Sequence, residues 1–130
     1  MIPKFRAWMK SPKWMCDVTN ISFDSKLVDI CQQGDTERST EISVEFDEIE
    51  LMQSTGFKDK NGKEIFEGDI LGTKDGLLNG VVEYKSDLGM WTNSLIRYNN
   101  FERLCNVANS REIIGNIYEN PEILEDKKWN

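Results

Sequence analysis

The N-terminal segment combines cationic and aromatic side chains at close spacing. Alternating cations and rings are typical of proteins that bind single-stranded nucleic acid, because bases stack on the rings and phosphates pair with the cations. An exposed tryptophan among cations could equally anchor a protein partner, or Trp8 could be buried as core material. Six residues form this candidate binding site: Lys4, Arg6, Trp8, Lys10, Lys13 and Trp14.

The charge of the chain argues against nucleic acid as the main partner. The net charge is −7, and residues 1–15 hold four cations and no acid, so the remainder carries −11. An acidic body repels phosphates over most of its surface, and four cations release few counterions. Nucleic-acid binding through the N-terminus is therefore the alternative function, and we expect it to be weak and salt-sensitive.

A second charged cluster lies near the middle of the chain. Its acidic side chains suit a partner with a basic surface, such as the DNA-binding face of another protein, although such clusters are more often solvated strand edges. The five acids are Glu41, Glu45, Asp47, Glu48 and Glu50.

Catalytic chemistry has few candidate residues. The chain has no histidine, which excludes a Ser-His-Asp triad, a Cys-His pair and a histidine metal site within one chain. Glu64, Glu67 and Asp69 could form a carboxylate pair for acid–base or magnesium chemistry, and Cys105 lacks an activating base. We expect no enzyme activity, no cofactor and no metal.

Residues 56–72, GFKDKNGKEIFEGDILG, resemble a ligand loop at first sight. A calcium loop that starts at Asp59 needs glycine at its sixth position and glutamate at its twelfth, where this chain has Glu64 and Ile70. A phosphate loop needs a hydroxyl residue after its lysine and a following helix, but Lys63 precedes a glutamate and an apolar pair. Both ligand hypotheses fail.

The same residues are well explained as turns of a β-sheet. Asn61-Gly62 favours a tight hairpin because both residues tolerate positive φ, with Phe57 and Ile65 on one side of it. Gly68 lies between two apolar pairs, where glycine permits a sharp bend. We therefore predict that this segment is architecture rather than a binding loop.

Apolar residues recur mostly at every second position, which predicts strands with one buried face. In the first part of the chain the pattern predicts a hairpin over 3–19, a strand over 26–31, a loop over 32–38 and a strand over 39–47. In the second part, short strands centred on 65–66, 70–71, 81–84 and 90–91 are separated by glycine-containing turns, which favours a small antiparallel barrel. One short helix is predicted on Phe101, Leu104, Cys105 and Ala108, with Asn99 and Asn100 as possible caps, before a last strand over 112–118.

Three segments carry a family resemblance. LMQSTGFKDKNGKEIFEGDIL (51–71), EIIGNIYENPEIL (112–124) and the opening KFRAWM (4–9) are similar to the YopX family of phage and prophage proteins. The resemblance implies a β-rich protein with an SH3-like barrel in bacteria that carry phage genes. It implies no particular activity and transfers no functional residue.

Together these observations predict a mainly β protein. We expect an N-terminal β extension over 1–54 and an SH3-like barrel over 55–130, which form one compact unit. The expected function is a non-enzymatic protein-binding or self-assembling module. A self-assembling module would be a homo-oligomer, and a protein-binding module would have a protein partner that the sequence does not identify. No apolar stretch is long enough for a membrane helix, and three widely spaced cysteines, Cys16, Cys31 and Cys105, fit free thiols in the cytoplasm of a bacterial host.

Overall fold

The structure of the chain is a computed structural model that describes residues 4–125. It contains two compact units, Met1–Gln53 and Ser54–Asn130, and each is described by itself. The predicted division at residues 54 and 55, and the prediction that both parts form one compact unit, stay predictions.

The first unit is an antiparallel sheet in the strand order β4-β3-β2-β1-β5. Its strands are β1 (Phe5–Met9), β2 (Trp14–Ser22), β3 (Leu27–Gln32), β4 (Ile42–Glu45) and the beginning of β5 (Ile49–Lys58). The predicted hairpin and the strand predicted over 26–31 are confirmed. The strand predicted over 39–47 is shorter, because a 3₁₀ turn follows at Phe46–Glu48 and the Glu48 side chain accepts the Glu45 N–H.

One face of this sheet is buried, as the two-residue period requires. Its core contains residues from all five strands: Ala7, Met9, Cys16, Val28, Ile30, Val44 and Ile49. The hydrophobic effect of burying these side chains selects the register, since a shift by one residue would turn them outward.

The second unit contains the end of β5 and six further strands. They are β6 (Glu64–Phe66), β7 (Asp69–Gly72), β8 (Gly80–Lys85), β9 (Met90–Leu95), β10 (Phe101–Arg103) and β11 (Glu112–Asn116). β6 pairs with the end of β5, and the other five form an antiparallel sheet in the order β10-β9-β8-β7-β11. Its core is built from Ile65, Leu71, Val82, Leu104 and Ala108.

The mainly β fold is confirmed, and the SH3-like barrel is confirmed only as an antiparallel sheet. Within residues 4–125, β10 and β11 are the two edges of the second sheet, and no strand pairing closes it into a barrel. β5 was not predicted as a single strand, and it runs through the predicted division at residues 54 and 55.

The short helix before the last strand is confirmed, but its start was predicted wrongly. Helix α1 covers Leu104–Val107, and a 3₁₀ turn continues over Ala108–Ser110. Phe101 lies in β10 and pairs with Ser94, because the free edge of β9 offers ladder hydrogen bonds that outweigh the helical spacing. The cap position is Arg103 rather than Asn99 or Asn100, and the last strand ends at Asn116 rather than at Tyr118.

Candidate functional site

The six residues of the predicted N-terminal site do not share one exposed face. Arg6 is 7% exposed and Trp8 is 9% exposed. Of the two alternatives for Trp8, an exposed anchor or a buried core residue, the structure shows the buried one. Trp14 is half-buried and packs against the core of the first unit. Only Lys4, Lys10 and Lys13 are exposed, which leaves lysines without exposed rings beside them.

Lys10 is turned towards the acidic part of the first unit. Its Nζ lies 3.3 Å from Glu50 Oε2 and donates to the Asp47 carbonyl at 3.1 Å. Both partners of the ion pair are about half exposed, so the pair contributes little to stability. It does withdraw one cation from the surface that was predicted to bind phosphates.

The acidic cluster lies in one continuous segment of the chain, which we call the acidic edge (residues 41–50). It consists of the residue before β4, β4 itself, the following 3₁₀ turn and the start of β5, and it holds five acids and no cation. All five carboxylates are exposed. Thr19 Oγ1 donates to Glu41, and Glu48 accepts the Glu45 N–H, whereas Glu45 and Asp47 have no ion pair within residues 4–125.

β4 is the edge strand of its sheet and pairs only with β3 among the described residues. In this register Val44 lies opposite Val28, and Ile42 lies opposite Ile30. Val44 is buried in the core, while Ile42 at the margin of the same face is 46% exposed. Ser43 and Glu45 project from the opposite face, so β4 has an apolar face and a polar, acidic face.

A shallow cavity lies where β4 ends. It has a volume of about 450 Å³ and is lined by Ser25, Lys26, Leu27, Glu45, Phe46 and Asp47. Phe23 packs edge-on against Phe46, with ring centroids 5.9 Å apart. Phe23 is 74% exposed, and an exposed ring beside a concavity is a common feature of interaction surfaces.

The segment over residues 56–72, which we call the signature segment, uses its polar groups internally. Asp59 is buried, and its carboxylate accepts the backbone N–H groups of Asn61 and Lys63 at 2.9 Å each and of Ile113 at 3.0 Å. Burial raises the pKa of Asp59, but the three backbone donors outweigh it, so the pKa lies below its ordinary value. Asp59 therefore closes the hairpin turn and fixes β11 beside it.

Gly68 and Asp69 also bind backbone groups of the same unit, at the bend between β6 and β7. Gly68 has a φ of 88°, its N–H donates to the Val82 carbonyl, and its carbonyl accepts the Ile117 N–H, both at 2.9 Å. The Asp69 carboxylate accepts the Phe66 N–H at 2.8 Å. Both long resemblance motifs are thus joined to each other, which confirms that the signature segment is architecture.

A buried polar network in the second unit was missed by sequence reasoning. Glu102 accepts one hydrogen bond from Asn93 Nδ2 at 3.0 Å and one from Arg111 Nη2 at 2.6 Å. Asn93 and Arg111 are both buried, and Asn93 Oδ1 lies against Gly80, where an added Cβ would approach it to 2.5 Å. The sequence did contain a signal for this network. Asn93 follows Trp91 by two residues, so both side chains lie on the same face of the strand, and a polar residue on a core face needs a hydrogen-bond partner.

The thiols differ in exposure. Cys16 and Cys31 are buried and Cys105 is exposed. Burial, with a smaller effect from Asp17, raises the pKa of Cys16 to about 12, and burial also raises the pKa of Cys31, so neither forms a thiolate readily. Within residues 4–125 no group of three or more cysteine or acidic side chains is arranged to hold a metal ion, and no helix there is long and apolar enough to cross a membrane.

The comparisons with known proteins match nearly the whole chain. The family described as YopX protein matches residues 4–125. EF1440 from Enterococcus faecalis has a similar solved structure, with 32% identity, a TM-score of 0.61, and coverage of 95% of this chain and 99% of that one. The structure of YopX from Bacillus subtilis has 20% identity, a TM-score of 0.56, and coverage of 96% and 98%. No curated protein matches the chain.

Proposed function

The chain belongs to the YopX family, and we propose that it acts as a non-enzymatic protein-binding or self-assembling module. The observation that carries this proposal is the acidic edge. It combines an edge strand, the exposed apolar side chain of Ile42, and the carboxylates of Glu45 and Asp47, which have no ion pair within residues 4–125. The exposed Phe23 ring packs against its Phe46. Such a surface suits macromolecular contact better than catalysis on a small molecule.

Two of the three carboxylates that the sequence suggested for chemistry support a non-enzymatic role. Asp69 accepts the Phe66 N–H, and Glu64 accepts the Ser54 hydroxyl at 2.5 Å. A general acid or base must be free to exchange a proton with a substrate, whereas these two groups hold the chain at the ends of β6. The buried thiols have a raised pKa and are poor nucleophiles.

Several finer statements belong to this proposal. The SH3-like character of the second unit, the phage or prophage origin, the location in the bacterial cytoplasm and a homo-oligomeric state all follow from the resemblance or the composition. The function does not depend on a closed barrel, because the acidic edge lies on the first unit.

The proposal is tested by removing the apolar part of the surface. We expect the double variant Phe23→Ser/Ile42→Ser to lose self-association in light scattering, or to lose specific proteins in affinity capture from phage-infected cells. The matched control is Leu88→Ser/Tyr98→Ser, which removes comparable exposed apolar side chains from the second unit. A wild-type chain that stays monomeric at high concentration and captures the same proteins as the F23S/I42S variant would overturn the proposal.

Weak nucleic-acid binding through Lys4, Arg6, Trp8, Lys10, Lys13 and Trp14 remains the alternative function. The structure lends it less support, because Arg6 and Trp8 are buried and Lys10 pairs with Glu50. Fluorescence anisotropy with labelled single-stranded DNA at low salt tests it under its most favourable condition. Absence of binding there would exclude this alternative.

A further inference from the structure

We propose that the acidic edge binds an extended segment of a different protein, in which basic and apolar residues alternate, as an added strand beside β4. This inference rests on the proposed function and specifies the partner's chemistry. The mode of binding is strand addition, in which main-chain hydrogen bonds supply affinity and alternate side chains supply specificity.

The outer side of β4 pairs with no other strand among residues 4–125. Phe46 N–H donates to the carbonyl of Lys26, the residue before β3, at 3.1 Å, and antiparallel pairing alternates the direction of successive groups. Val44 and Ile42 therefore point their N–H and carbonyl groups to β3, whereas those of Ser43 point away from the sheet. The N–H groups two residues before and after Ser43 also point outward, but they are used locally. Glu45 N–H donates to the Glu48 side chain, and Glu41 N–H donates to the Arg38 carbonyl.

The side chains of β4 specify an alternating sequence in the added strand. Residues of the added strand on the core face would lie next to Ile42 and extend the apolar core of the first unit. Residues on the other face would lie near Glu41 and Glu45, where lysine or arginine is favoured by charge. At the end of β4, the cavity beside Phe23 and Phe46 has room for an apolar side chain of the same segment.

Charge excludes a second copy of this chain as the strand added beside β4, while Phe23 and Ile42 stay exposed for side-chain contacts between copies. If two β4 strands paired antiparallel about Ser43, Glu41 of one copy would lie opposite Glu45 of the other. Directly opposed like charges destabilise a strand pair. Residues 41–50 contain no cation that could compensate, and acidic edge strands are a common device against self-pairing. The added strand therefore belongs to a different, basic chain.

The test uses a short fluorescein-labelled peptide of alternating lysine and valine as the probe, with fluorescence anisotropy as the readout. We expect the full chain to bind this probe at low salt, and not to bind a counterpart with glutamate in place of lysine. A lysine–valine peptide with proline at a central position should also fail to bind, because proline cannot donate to a ladder. Binding should weaken as salt is raised.

Two sets of variants locate the site. Ser43→Pro removes the outward N–H, and Glu41→Gln/Glu45→Gln removes charge, and we expect each to weaken probe binding by at least about tenfold. Ser43→Ala keeps the N–H and loses only the hydroxyl, so it should bind like wild type. Ser86→Pro and Asp87→Asn/Glu122→Gln are matched controls on the second unit. Leu88 N–H donates to the Lys85 carbonyl and closes a turn in which Ser86 is the second residue. Proline is favoured at this position of a turn.

The outcomes separate this inference from the proposed function. No binding of the lysine–valine probe, equal binding of the glutamate probe, or unchanged binding by E41Q/E45Q would overturn the inference. Circular dichroism checks that S43P is folded, and if it is not, the E41Q/E45Q pair decides the test. The proposed function is judged independently, by whether F23S/I42S changes self-association or captured proteins while the probe result stands.

Discussion

The signature segment and the acidic edge differ in how they use polar side chains. In the signature segment, Asp59, Gly68 and Asp69 direct their polar groups to backbone partners within the same unit. In the acidic edge, Glu45 and Asp47 are exposed and have no ion pair within residues 4–125, and Ile42 is exposed as well. The segment with the richer chemical pattern binds its own backbone, and the plainer segment has the exposed side chains that we propose contact a partner. Substitutions in the first should therefore reduce stability, and substitutions in the second should reduce binding.

The largest effect is expected for Asp59→Ala. It leaves three backbone N–H groups without their acceptor at a buried position, and hydrogen bonds to a charged group contribute about 1.5–3 kcal/mol each. We expect a loss of roughly 3 kcal/mol or more in the free energy of unfolding, measured by urea denaturation, together with faster hydrogen exchange in β11. Asp87→Ala, at an exposed turn position, is the control. Equal stability of the two variants would contradict the structural role of the signature segment.

A second effect is expected for Gly80→Ala in the same unit. An added Cβ would lie 2.5–2.8 Å from the side chain of Asn93, which is buried and bound to Glu102. Overpacking of this kind costs about 1–3 kcal/mol, which thermal or urea unfolding would detect. Gly34→Ala in the first unit is the comparison, because a Cβ there meets no atom within 4 Å and only its φ of 83° opposes the change. A smaller loss in the free energy of unfolding for G80A than for G34A would contradict this prediction, because it would show that the Asn93 side chain can move to accommodate the added Cβ.

Acid should weaken the second unit through Asp59. The folded-state pKa of Asp59 is lowered and lies below the ordinary aspartate value of about 3.9. The carboxylate therefore stabilises the fold above the unfolded pKa, and this contribution is lost as pH falls through the folded pKa. We expect wild type to lose more stability than Asp59→Asn between neutral pH and pH values below about 4. Parallel pH profiles of the two proteins would refute the assignment.

The smallest change in stability is expected on the acidic edge. Glu45→Gln and Asp47→Asn remove exposed carboxylates without ion pairs, and surface changes of this type alter stability by no more than about 0.5 kcal/mol. Both variants should unfold like wild type in urea, while E45Q weakens binding of the lysine–valine probe. A large loss of stability in either variant would remove the contrast between the two regions.

Family and local structure were accessible from the sequence. The two long motifs resemble the YopX family, and the family match over residues 4–125 confirms that prediction. The two-residue period located β1, β2 and β3, since alternation depends only on which residues prefer burial. The Asn61-Gly62 turn and the Gly68 bend followed from the freedom of glycine at positive φ.

Tertiary contacts decided the rest. Whether Trp8 is buried, which acids are held by backbone N–H groups, and which strand lies at an edge all depend on residues distant in the sequence, such as Ile113 for Asp59 and Val28 for Val44. Phe101 joined a strand instead of a helix because β9 offered it a partner. The sequence by itself determined the family and the local turns, since these arise from residues a few positions apart. Only the folded chain decided which polar groups bind backbone groups of the same unit and which stay exposed.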